Sequence, residues 1–281
     1  VSNTIMQQSE SNGIFTCAVD TRIIDSLITQ STDAGVSLRQ NDTTGVRQVP
    51  RVSNFVIRTS TVSSNLNSGI MAAFWNYDAS LPDVPVRIEN CLIEDNHGEY
   101  GGGVADAGGS TTDRSSGVQI TGSILRRNRA RTHGGAVYFQ LNRSPLISHS
   151  LIQENSAGDR GGGVFMVHGS VGSMRDCLVR SNVAGGYGGG AYNGLLINNT
   201  IVFNQALEGG GTRHYSGGGI FNSIVYYNKA VTYPNILGGI VSYTCTIPFV
   251  SGAGNISSPP GIAGFRNYRL MPGSPCIDAG S

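Results

Sequence analysis

Four side chains able to move protons or hold charge, Tyr100, His133, Arg160 and Tyr187, each stand immediately before a run of glycines. A fifth glycine run, from Gly217, is preceded by Ser216, and the positions one earlier in the first, second and third runs carry Glu99, Thr132 and Asp159. Such a set suits β-elimination in a uronate polysaccharide, which needs a base for the proton beside the carboxylate, an acid for the leaving oxygen and a cation for the developing charge. His133 or Tyr187 would be the base, Tyr100 the acid, and Arg160 or Arg131 the cation. Glu99 and Asp159 are the two carboxylates nearest to a hydrolytic pair, a chemistry that needs a separation of about 5 Å or roughly 6.5 to 9.5 Å. The competing reading makes all of these solvated corner side chains that vary freely from repeat to repeat.

Tyr138, Phe165, Tyr192 and Phe221 form a second row two residues beyond the corners. Facing outward they would bind sugar rings as a stacking platform; facing inward they would be core. Alternation along a strand lets only this set or the adjacent Val137, Val164, Ala191 and Ile220 point in, and the aliphatic set is the better interior.

What must position these rows is a repeat. The segments NCLIEDN, GSILRRN, HSLIQEN, DCLVRSN, NTIVFN and NSIVYYN end at Asn96, Asn128, Asn155, Asn182, Asn204 and Asn228, at steps of 32, 27, 27, 22 and 24 residues. Weaker copies end at Asn65, Ser31 and Ser9, and YTCTIP around Cys245 resembles a further one. The apolar runs are short, β-rich and bounded by Asn, Ser or Gly, and no helical period appears. A fixed period of this length marks a solenoid. The fold expected is all-β, a right-handed single-stranded parallel β-helix of about nine to ten coils, with coils over 1–247 and a capping segment of the same domain over 248–281. Ser60, Cys91, Ser123, Ser150, Cys177, Thr200 and Ser223 would fill a tight inward row, and Val62, Ile93, Leu125, Ile152, Val179, Val202 and Val225 a branched one. The asparagines would form a structural ladder of side-chain amides, and the glycines the corners.

Composition agrees. Glycine supplies 40 of 281 residues and charged residues only 13%, which excludes a coiled coil and a charge-rich disordered chain. The net charge is +1 and Lys229 is the sole lysine, so no basic stripe tracks a phosphate backbone and nucleic acid is not an expected partner. No apolar stretch is long enough for a transmembrane helix. Of the cysteines, Cys17, Cys91, Cys177, Cys245 and Cys276, none forms a CxxC pair, and neither a metal nor a cofactor is expected. Cys91 and Cys177 share a row three coils apart, too far for a disulfide, whereas the long excursion before Cys276 lets it return to Cys245, the disulfide expected here.

The GG(A/I) corners and Asn-terminated repeats resemble secreted bacterial right-handed parallel β-helix proteins, including polymorphic outer-membrane adhesins of autotransporter type. The ending NYRLMPGSPCIDAGS, from Asn267 to Ser281, is similar to the closing segment of large surface-anchored β-helix proteins. The resemblance implies an extracellular or cell-surface location and a family holding both adhesins and polysaccharide lyases; fold alone does not choose between them. Two functions therefore stand: a structural or adhesive solenoid, and a polysaccharide lyase or glycan-binding protein acting on an acidic polysaccharide along the corner strip. The partners expected are a polysaccharide or further copies of the chain. VSNTIMQQS opens mid-pattern with Ile5 and Met6 uncovered, which suggests further coils upstream or head-to-tail docking into a fibre.

Overall fold

A three-residue strand with one branched side chain pointing inward buries almost nothing alone; stacked on identical strands it becomes part of a continuous core. The computed structural model describes the chain except residues 17–19, 41–53, 75–85, 107–116, 141–143, 168–171, 216 and 265–267. Its sheets contain ten, nine, nine and four strands, and in each the neighbours are successive turns of the chain, paired in parallel. This is a parallel β-solenoid. One coil illustrates the rest: Ile124–Arg126 belongs to the ten-stranded sheet, Arg129–His133 to the four-stranded sheet, and Val137–Phe139 and Leu146–Ser148 to the two nine-stranded sheets, before Leu151–Gln153 returns to the first. No helix among the described residues is long and apolar enough to cross a membrane.

The branched inward row runs Val62, Ile93, Leu125, Ile152, Val179, Ile201 and Val225, fully buried throughout. Here the structure corrects the sequence alignment by one residue. Ile201, not Val202, is the inward residue of its coil, and Asn199, not Thr200, takes the tight corner, its side-chain carbonyl accepting from the Cys177 amide at 3.0 Å. Counted back from Asn204 as Ser150 and Ile152 are from Asn155, by five and three residues, the two positions fall on Asn199 and Ile201.

The asparagine ladder is as expected. Each side-chain oxygen accepts from the backbone amide and side-chain NH₂ of the preceding asparagine, as Asn155 does from Asn128 at 2.9 and 3.1 Å and Asn182 from Asn155 at 3.0 and 2.9 Å. Asn65, Asn96, Asn204, Asn228 and Asn235 extend it. The residue before each rung from Asn65 to Asn228, including Asp95, Arg127, Glu154, Ser181, Phe203 and Tyr227, has φ between 53 and 58°. Left-handed backbone is unfavourable for such side chains, and the amide ladder is what holds the corner there. Cys91 and Cys177 are free and buried.

Past Thr246 the chain leaves the sheets and folds back along the outside of the ten-stranded sheet. Arg180 donates to the Tyr268 hydroxyl at 3.0 Å and its guanidinium lies 5.0 Å from that ring; the Ser281 amide donates to Asn222 Oδ1 at 3.2 Å.

Inside the nine-stranded sheet that ends at Ile236–Leu237, His214 is 5% exposed, and neither ring nitrogen has a hydrogen-bond partner among the described residues. Burial lowers its pKa to about 4. The unfolded chain, with an ordinary histidine near pH 6.5, binds a proton that the fold refuses, so this stability is complete above pH 6.5 and falls by about 3 kcal/mol as pH drops to 4. Urea melts of wild type and His214→Leu at pH 7 and pH 4.5 should show the variant losing markedly less stability between the two. Parallel losses would contradict the assignment.

Candidate functional site

The corner glycines present the residue before them. The first glycine of each run is left-handed, with φ of 69° at Gly134 and 63° at Gly161. The second admits the next coil: a Cβ on Gly135 would lie 2.1 Å from the Gly162 carbonyl oxygen. With no side chain on the bend itself, the preceding residues line up. Tyr100 pairs with His133, His133 with Arg160 and Arg160 with Tyr187, all in parallel, so at about 4.8 Å per coil the four expected residues span roughly 15 Å.

The row continues to Glu208 and Thr232, which corrects the sequence alignment. The corner after Tyr187 is Gly209 to Gly211, since the Gly188 amide donates to the Glu208 carbonyl at 3.1 Å. Gly219 instead opens a strand of another sheet, where Phe221 pairs with Ile197 and Ser242. Ser216, expected in the row, lies outside the described residues. Glu208 therefore stands where Ser216 was expected, and the second row runs Tyr138, Phe165, Tyr192 and then Arg213, not Phe221. Both residues were missed, although the spacing signals them: Asn128, Asn155 and Asn182 each precede their glycine run by six residues, and Asn204 precedes Gly209 by five but Gly217 by thirteen.

Val137, Val164 and Ala191 fill the interior, as expected, and the aromatics face outward. They are nevertheless no open platform, because Phe165 and Tyr192 are each only 5% exposed. The two rows interlock diagonally, each corner residue lying over the outward residue of the next coil. Tyr100 meets Tyr138 at 5.0 Å, His133 stacks on Phe165 at 4.7 Å, the Arg160 guanidinium lies 5.5 Å from the Tyr192 ring, and that of Arg213 lies 4.2 Å from Tyr187. Such contacts of cation on ring face each contribute about 0.5 to 2 kcal/mol and hold the arginine heads still.

Each arginine of the strip also meets a carboxylate. Arg131 holds both oxygens of Glu99, at 2.5 and 3.0 Å, and keeps that carboxyl below its usual pKa. Glu99 is thus an ionised partner of arginine, unsuited to be the acid of a hydrolytic pair. Arg160 reaches Asp159 at 3.2 Å and Arg213 reaches Glu208 at 3.2 Å. His133 Nδ1 is buried, without a hydrogen bond among the described residues, 3.9 Å from Asp159, and burial lowers the pKa of the ring, so it is neutral at pH 7. Tyr138 is shifted up by burial and stays protonated.

Beyond Arg160 the interlocked rows open into a cleft of about 480 Å³. Arg160, Tyr187, Tyr192, Arg213 and Tyr215 line it, with Phe165 and Val167. Tyr215 is 68% exposed, and its amide is anchored on Asn193 Oδ1 at 2.8 Å. Two guanidinium groups, each with one carboxylate contact among the described residues, retain N–H donors for a further anion, while the tyrosines offer ring faces and hydroxyls. Of the expected residues, Arg160, Tyr187, Phe165 and Tyr192 reach this cleft; Tyr100, His133 and Tyr138 continue the strip outside it, flanked by Glu99 and Arg131. The other expected pair, Cys245 and Cys276, lies on the wall of one cavity as two free thiols, with Cys245 Sγ donating to the Ser258 carbonyl at 3.2 Å. No protein-family profile, curated protein or solved structure matches the chain.

Proposed function

We propose that this chain is a secreted or cell-surface β-solenoid that binds an acidic glycan, with one anionic sugar seated in the cleft between Arg160 and Arg213. The cleft itself carries the reading: two guanidinium groups fixed on tyrosine rings beside an exposed third tyrosine. Bidentate arginine contacts suit the carboxylate of a uronate or the sulfate of a sulfated sugar, and ring faces suit a pyranose. The strip running back to Tyr100 has the length of a few sugar units, and regular coils give it the rigidity an adhesive surface needs.

Calorimetric titration with uronate, sulfated and neutral oligosaccharides of equal length tests this. Acidic oligosaccharides should bind at least tenfold more tightly than neutral ones, with affinity falling as salt rises. Equal affinity for neutral chains, or none for any, would contradict the proposal.

A lyase step on the same strip is the second reading, favoured by the neutral imidazole of His133 beside Arg160. His133 would take the proton next to the uronate carboxylate, the bond to the leaving oxygen would break to give a ring double bond, and Tyr100 would protonate that oxygen. Rising ultraviolet absorbance from the unsaturated sugar, abolished in His133→Ala, would establish it. Binding without that product leaves the binding function alone.

A further inference from the structure

The back-folded C-terminal segment covers a second cavity, of about 370 Å³, on the opposite flank from the corner strip's sheet. Cys245 and Cys276 both line it, with Tyr243, Asn198, Asn222 and Gly254. Cys245 belongs to the last strand of the ten-stranded sheet, paired with Ile224, and is 3% exposed. Cys276 is half-buried and comes from the back-folded segment, where its amide donates to Ser274 Oγ at 3.1 Å and that hydroxyl donates to the Pro260 carbonyl at 2.6 Å. The two thiols, 31 residues apart in sequence, face the same cavity.

We propose that Cys276 and Cys245 form a thiol–disulfide exchange site that takes a small disulfide through this cavity, with Cys276 attacking and Cys245 resolving. The Cys276 thiolate attacks one sulfur of the disulfide RSSR, forming a mixed disulfide and expelling RS⁻. Cys245 gives its proton to the expelled thiolate and attacks the Cys276 sulfur, breaking the mixed disulfide and expelling the second RS⁻, which takes from solvent the proton that Cys276 gave up on ionising. In sum, two thiols and RSSR become one intramolecular disulfide and two RSH; the protein is oxidised by two electrons and RSSR reduced by two.

Three observations assign the roles. Cys276 is the more exposed sulfur, and attack requires access. The neighbouring Cys245 favours the thiolate of Cys276, bringing its pKa down to about 7, while the pKa of Cys245, whose thiol donates to the Ser258 carbonyl at 3.2 Å, is raised. The remaining described thiols are inert by contrast: burial raises Cys91 to about 11 and Cys177 to about 12. Oxidation would tie the back-folded segment to the last strand of the solenoid, which makes the attachment of that segment redox-dependent.

Oxidised glutathione is the probe. The full, reduced chain is incubated with it, quenched in acid and mapped by mass spectrometry of its peptides. A Cys245–Cys276 disulfide is expected, with Cys91 and Cys177 unmodified; Cys245→Ser should accumulate glutathione on Cys276, and Cys276→Ser should leave Cys245 unmodified over the same time. Glutathione on Cys245 first, or modification of Cys91 and Cys177 at the same rate, would overturn the proposal. A measurement on the unaltered chain guards against misfolded variants: the rate of Cys276 alkylation by iodoacetamide should rise with a midpoint near pH 7. A midpoint near the ordinary thiol value of about 8.5 would overturn the assignment of Cys276 as the attacking group.

Discussion

Asn155→Ala should destabilise the solenoid by about 3 to 5 kcal/mol, because it orphans several buried groups at once, each worth about 1 to 3 kcal/mol. The Asn155 side chain is 1% exposed and sits mid-ladder. Its oxygen accepts from the backbone and side-chain nitrogens of Asn128, and its NH₂ donates to the carbonyls of Leu125 and Gln153 and to Asn182 Oδ1, all within 3.1 Å. Alanine fills none of these roles, and water cannot reach the site to replace them. The loss extends beyond one coil, since Glu154 beside it is held at a φ of 58° by the same corner. Urea unfolding should show a lower midpoint, whereas Gln119→Ala, on an exposed strand position, should change stability by less than about 0.5 kcal/mol. Similar effects of the two substitutions would mean that the ladder does not hold the corner.

Ile152→Asp should be more damaging still. Ile152 is fully buried between Leu125 and Val179 in the middle of the inward row. A carboxylate there would be surrounded by the apolar inward row, and burying it costs at least several kcal/mol even if it takes up a proton to become neutral. A solenoid depends on contacts between neighbouring coils, so a failed coil also separates the two halves of the molecule. Calorimetry should show the single cooperative transition lowered and split, or lost. A transition as sharp as that of wild type, shifted by less than about 1 kcal/mol, would show that Ile152 does not face the core.

The inward rows and the asparagine ladder were legible in the sequence because stacking demands one residue type at one place in every coil, and repetition makes such a demand visible. Thr200 and Val202 were misplaced by one position because the run Asn199, Thr200, Ile201 and Val202 puts a plausible small or polar residue and a plausible branched residue in either of two adjacent registers. Two glycine runs within one coil, at Gly209 and Gly217, are equally attractive as corners by composition. Only the distance from Asn204 separates them. Choosing Gly217 hid Glu208 and Arg213, and with them the cleft. The covering of Phe165 and Tyr192 was beyond the sequence, since it arises from side chains leaning diagonally onto the next coil, a relation with no fixed spacing along the chain.

In the proposed binding mode an anionic sugar sits against Arg213, which is fixed over Tyr187 and lies beside Arg160. The most direct measurement is the affinity of the tightest-binding acidic oligosaccharide for three proteins with comparable thermal unfolding: wild type, Arg213→Ala and Arg58→Ala, the last removing an exposed arginine whose partner is Glu89, remote from the cleft. A charge-assisted contact at the cleft is worth about 1.5 to 3 kcal/mol, so Arg213→Ala should weaken binding by at least tenfold and Arg58→Ala should leave it unchanged. Unchanged binding by Arg213→Ala, or equal losses in both variants, would contradict the account.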